Sequence, residues 1–294
     1  MGHGSTTSTK RLGTGLRRAG MLVAMLALLG VTAAQASQPK AGAAPAGLPW
    51  PAPKLTNPTI IQLTAKTPSS LVLDPRQDYV LQLPTGHPLN VPHGFSIWGG
   101  HNVVMVGGTL NILDRGGVMD LTDQTGTVHI EGVRFTGRRL MEGFDLSEPK
   151  GATVEFENVY VSTVHGSENT NHADLIQTWA GPRRLLVDGF VGSTDYQGFF
   201  LLPNQLYKGP APRQFDLRNV FIQDRGGYAL WLQSKPKVPL HLSNVFISPN
   251  PTKPAPDQWL WPALTSEGTW PGVTAVNSAP GEVAAMARAA GPAY

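Results

Sequence analysis

From about Ile97 onward the chain alternates apolar and polar positions in short runs, and each run ends on Gly or Asn. Six segments share this pattern: Val104-Met105-Val106 to Gly108, Val128-His129-Ile130 to Gly132, Val154-Glu155-Phe156 to Asn158, Leu185-Leu186-Val187 to Gly189, Phe215-Asp216-Leu217 to Asn219, and Leu240-His241-Leu242 to Asn244. Their first residues lie 24, 26, 31, 30 and 25 positions apart. Period two sends alternate side chains to opposite faces of a strand, and Gly or Asn suits a bend that needs φ > 0. A second short apolar run sits between successive anchors, at 118–121, 143–146, 173–176, 199–202 and 229–232. Helical spacing is absent from this region. A unit of roughly 25 residues cannot bury its apolar face without neighbours, so the pattern predicts an all-β solenoid, a right-handed parallel β-helix. A β-sandwich also uses short strands, but it does not repeat one punctuation at every step. Stacking then puts Ile130, Phe156, Val187, Leu217 and Leu242 in one internal column.

The flanks read differently. Residues 37–58 are rich in Ala, Pro and Gly and predict a flexible or polyproline-like leader. The β-helix domain spans 59–250. Beyond Asn250 the repeat stops, and 251–294 predicts a short C-terminal capping segment. In it Trp259, Trp261 and Trp270 fold back and 282–288 forms a short helix over the open end of the stack. At the other end, Lys10, Arg11, Arg17 and Arg18 precede an apolar run at 21–31 too short to span a bilayer, followed by Ala34-Gln35-Ala36. Residues 1–36 therefore read as a cleaved signal peptide, predicting a secreted or periplasmic chain with no stable membrane insertion.

Charge matters only after that segment is removed. The full chain carries 23 Lys+Arg against 20 Asp+Glu, and residues 1–36 hold four of the basic residues and no acidic ones. The remaining near-neutral chain has no electrostatic footprint for nucleic acid. Without cysteine, the core alone must hold the fold. One elongated domain, read as a monomer, is the expectation.

Equivalent positions of stacked coils lie ~4.8 Å apart. Aligning the second strands places Asp120, Asp145 and Asp174 in one outward column, provided Leu121, Leu146 and Leu175 point inward. Carboxylates that close must hold a proton, find a cation or splay into water. This leaves three readings: a general acid/base pair, a Ca²⁺ site on Asp145 and Asp174, or a ladder that caps turns. The loops before these strands gather Arg138, Arg139, His165, Glu168, His172, Asp195, Tyr196 and Arg225 on one edge, and loop 162–171 is the longest of them. His172 stands out because Asp174, two residues on, shares its face. His165 and His129 do not stand out in this way and read as satisfied turn residues. Trp98, Trp179, Tyr196 and Trp231 suit either sugar stacking or packing between coils.

The repeat, together with Asn171-His172-Ala173-Asp174-Leu175-Ile176-Gln177, resembles secreted bacterial right-handed parallel β-helix proteins of the pectin-lyase-like superfamily. Many of those carry an (Asn/Ser)-His-x-Asp-x-(Ile/Val)-Gln strand. The chain lacks the Trp-Ile-Asp-His strand of pectate lyases and the Asp-Asp and Gly-His-Gly set of polygalacturonases. The resemblance implies a carbohydrate-active protein acting on a polysaccharide. In a lyase, His172 or Tyr196 would take the proton alpha to a uronate carboxylate, which Arg139 or Ca²⁺ neutralises. In a glycosidase, two of Asp145, Asp174 and Asp195 would serve as acid and base or nucleophile. The alternative is a non-catalytic cell-envelope or glycan-binding solenoid. The expected cleft joins His172 and Asp174 to Arg139 and Tyr196.

Overall fold

The computed structural model describes residues 50–114, 116–206, 209–233 and 238–288; the expected signal peptide and leader residues 37–49 lie outside them. Every paired strand is parallel to its neighbour in the next coil, which makes a β-solenoid of about eight coils. Each complete coil presents three faces. The first begins with Thr59–Gln62, Tyr79–Gln82, Val103–Val106 and Thr127–Glu131, and continues in the front halves of Thr153–Val164, Arg184–Thr194, Gln214–Asp224 and Leu240–Ser248. The second holds Leu89–Val91, Thr109–Ile112, Arg134–Gly137 and the back halves of those four long strands. The third stacks Ser70–Leu73, Phe95–Gly99, Met119–Thr122, Phe144–Ser147, Asp174–Ala180, Gln197–Leu201, Tyr228–Leu232 and Leu260–Trp261.

The corner between the first two faces is where Gly and Asn recur. Gly132, Asn158, Gly189, Asn219 and Asn244 all have positive φ, from 49° to 76°, a region that only Gly and a few short polar residues enter cheaply. Gly189 is also required by space, since a Cβ there would lie 2.7 Å from Asn158 Oδ1. Asn244 Nδ2 donates to Asn219 Oδ1 (3.0 Å), and Asn219 Nδ2 donates to Asp188 Oδ1 (2.6 Å), so the bends are linked along the stack.

Inside, Ile130, Phe156, Val187, Leu217 and Leu242 are paired in that order. The first four are buried, and Leu242 in the last full coil is half-buried. A file of rings, Phe135, Phe144, Phe156, Phe190 and Phe199, runs through the core with centroids 4.6–6.4 Å apart.

Three expectations are revised. The ladder continues past Asn250, because Leu260–Trp261 pairs with Leu230 and Trp231, and Val273–Ala275 pairs with Val245, Phe246 and Ile247. Buried Trp259 and Trp270 close the last coil. Helix Gly281–Arg288 instead lies along the side of the central coils, against Thr153–Val164 and Arg184–Thr194, with Val283 buried. The described part of the leader is tied down. Trp50 N–H donates to Glu157 Oε1 (3.1 Å), the Arg218 guanidinium lies 4.7 Å from the centre of its ring, and Thr56 N–H donates to Asp78 Oδ2 (2.6 Å). Under this strap the first face also buries His129, whose ring nitrogens lie 2.9 Å from Glu155 Oε2 and 3.2 Å from Glu131 Oε2.

Candidate functional site

The outer surface of the third face carries one continuous column. Ser96, Asp120, Asp145, Gln177, Phe200, Trp231 and Trp261 are successive strand partners across seven coils. At sheet spacing the column is about 29 Å long. One half is polar and acidic. The other is aromatic: Trp231 meets Phe200 (5.1 Å), Tyr228 (4.9 Å) and Trp261 (6.3 Å), and Trp261 remains about half exposed.

This register corrects the expected acidic column. Asp120 and Asp145 are partners, but Asp145 faces Gln177 in the next coil, and Asp174 pairs with Gln197. The cause is local. Leu175 and Ile176 are both apolar and both buried, and Ile176 takes the inward slot beside Phe144. Asp174 therefore falls three positions before the column, at the corner level with Glu142, and Glu142 N-terminal to Gly143 becomes its neighbour. The Gly143 N–H donates to the Asp174 carbonyl (2.8 Å).

The acids still form one group. Glu142 and Asp145 act on each other's ionisation, because the charge of Glu142 raises the Asp145 carboxyl. Burial first, then the charges of Asp174 and Asp120, holds Glu142 up at about 7, although its hydrogen bond to Asp145 opposes them. Asp145 is also raised, by burial and then by Glu142, with the Trp179 indole pulling the other way. Asp174 is fully buried, and neither of its side-chain oxygens has a hydrogen-bond partner among the described residues. Burial, and after it the charge of Asp145, pushes its carboxyl well up. Asp120 accepts from Ser96 Oγ (2.7 Å).

The predicted constellation divides into two places. His172 is exposed, with its ring 5.4 Å from Tyr196, and makes no hydrogen bond to a carboxylate among the described residues. Tyr196 sits over the acidic group; burial first, then the charges of Glu168 and Asp174, raises its hydroxyl. Asp174 is thus neither the orienting partner of His172 nor a cap on backbone N–H groups. Arg139 is elsewhere. It lines a separate concavity of about 340 Å³ with Arg138, Met141, His165, Gly166, Ser167 and Thr170. Asp195 belongs to that second place, bound to His165 Nδ1 (2.7 Å) and Arg225 Nε (3.2 Å).

No family model, no curated protein and no solved structure matches the chain.

Of the side chains at these two places, Glu142 is not singled out by the sequence and His165 is given no role there. Glu142 lies three residues before Asp145, a spacing that strand alternation does not bring together. His165 carries the His–carboxylate pair that was expected of His172. Its signal was present in the coil length, because His165 and Asp195 lie 30 residues apart, one coil, just beyond the pair Val164 and Thr194. A calcium ion takes six to eight oxygen ligands, and among the described residues no three His, Asp or Glu side chains converge as a cation site.

Proposed function

We propose that the chain is an exported glycan-acting β-solenoid that hydrolyses a polysaccharide lying along the outer column of its third face. The observation that carries this reading is the outer column itself, which runs from carboxyls at Asp120 and Asp145 to an aromatic track at Phe200, Trp231 and Trp261, with the raised carboxyl of Glu142 beside its acidic end. Sugar rings offer C–H faces that pack on indole and phenol planes, and an extended chain of them matches the direction of the column. Hydrolysis needs a carboxylic acid to protonate the glycosidic oxygen and a carboxylate to take a proton from the attacking water. Glu142 and Asp145 are the carboxyls offered for these roles, and their separation decides whether the route retains or inverts. Burial, and after it a negative charge on neighbouring Asp174, favours the protonated form of Glu142 toward neutral pH. A lyase route is less well served, since His172 lacks an orienting carboxylate and Arg139 lies in the other concavity.

The test is a screen of neutral and acidic polysaccharides that follows reducing ends and unsaturated products separately. We expect new reducing ends without unsaturation, and a rate that falls as pH rises past about 7, where the acid loses its proton. Asp145→Asn should lower kcat by about 10²–10⁴-fold with the melting temperature nearly unchanged. Unsaturated products would replace this mechanism with elimination. Binding without turnover would leave a glycan-binding solenoid.

A further inference from the structure

We infer that the concavity beside the carboxyl pair binds a tetrahedral oxyanion, the sulfate or phosphate ester of a substituted glycan. The glycan as its bearer rests on the reading above; the chemistry of the pocket does not. Its walls hold two arginines, one histidine and two hydroxyl residues, and no carboxylate. Among the described residues neither Arg138 nor Arg139 has an ion-pair partner, and both are exposed. Adjacent guanidinium groups repel, and an anion between them relieves that repulsion while accepting from both forks.

His165 adds a third donor. Asp195 holds its Nδ1 at 2.7 Å and so fixes the ring while Nε2 is left to donate. Asp195 is itself shared with Arg225, so a single carboxylate sits between two basic side chains and does not cancel the pocket's charge. Ser167 and Thr170 supply the hydroxyls, 3.0 Å apart.

The loop that carries these groups is already closed. Asn171 Nδ2 donates to the carbonyls of His165 (3.0 Å) and Met141 (3.2 Å), and Ser167 N–H donates to the Asn171 carbonyl (3.0 Å). A Cβ on Gly166 would lie 2.2 Å from that same carbonyl oxygen, so the tight turn requires glycine. A preformed loop spares the ligand the cost of ordering it.

The number of donors selects the ligand. A carboxylate is planar and offers two oxygens, which one guanidinium fork satisfies. Two forks from Arg138 and Arg139, with an imidazole and two hydroxyls from the 165–170 loop, suit a group with three free oxygens. Met141 lines the pocket and Glu142 of the carboxyl pair follows it in the chain. A bound ester would therefore set which glycosidic bond reaches the acid.

The experiment is calorimetric titration of the full chain at fixed ionic strength with inorganic sulfate, inorganic phosphate and acetate. Sulfated and desulfated forms of one oligosaccharide follow. Sulfate and phosphate should bind and acetate should not, and the sulfated sugar should bind more tightly than its desulfated form. Arg138→Gln and Arg139→Gln should each weaken sulfate binding by roughly tenfold, the size of one lost charge-assisted hydrogen bond. Arg139→Lys should recover only part, because the charge returns without the fork. Both arginines are exposed, so unchanged melting curves will show that the variants are folded. Acetate or a uronate binding as well as sulfate would overturn the proposal, as would Gln variants that bind sulfate like the parent. Sulfate binding by a chain that cleaves no polysaccharide leaves this site standing and removes only the hydrolase.

Discussion

Glu142→Gln should make the protein more stable at pH 8 and leave it nearly unchanged at pH 4. In the fold, burial and the charges of Asp174 and Asp120 raise this carboxyl from 4.5 to about 7. Below pH 4.5 the folded and unfolded chains both hold the proton, and the group makes no difference to stability. Between 4.5 and 7 the unfolded chain has released a proton that the folded chain retains, so rising pH favours unfolding. Above 7 the loss is complete, and the move from 4.5 to about 7 corresponds to about 3 kcal/mol. Glutamine keeps the shape and cannot ionise, so it removes this term. The assay is urea unfolding of both proteins at pH 4 and pH 8, reading the difference between them so that other titrating groups cancel. Glu157→Gln is the control. Burial raises Glu157 to about 7 as well, but it lies on the first face under Trp50. It should flatten the pH dependence of stability and leave glycan cleavage intact, whereas Glu142→Gln should flatten it and abolish cleavage. A Glu142→Gln protein that loses stability between pH 4 and 8 as steeply as the parent would refute the reasoning.

Three further outcomes are expected. Val187→Asp should prevent folding of the central coils, since an unpaired buried charge costs several kcal/mol, roughly, and soluble yield with far-UV circular dichroism will show it; a cooperative, parent-like melt would refute the core register. Trp261→Ala should weaken glycan binding by about 1 kcal/mol without changing the pH profile of cleavage, as titration on a soluble oligosaccharide will measure; unchanged affinity would move the sugar off this track. Intact mass of the protein exported by its host should correspond to a chain beginning at Ser37, and a retained Met1 would end the signal-peptide reading.

What the sequence made legible was whatever repeats at the coil length. The corner residues Asn158, Gly189, Asn219 and Asn244 announce themselves because only a few residue types tolerate positive φ, and the core column follows from their spacing. The second face was hidden for the opposite reason. Leu89–Val91, Thr109–Ile112 and Arg134–Gly137 are strands of three or four residues set just after the bend, too short to show a period of their own. In the candidate site the ambiguity lies in two adjacent apolar residues. The expected alignment set Leu175 level with Leu146, whereas the structure sets Ile176 level with Phe144, and that three-residue shift moves Asp174 from the outward column to the corner. That slip separates Asp174 from His172, places it level with Glu142, and buries it without a partner. A carboxyl so placed lowers stability, and local pattern gives no reason for it. The proposed acid gives such a group a use, since a charge at Asp174 adds to the burial that holds Glu142 protonated toward neutral pH.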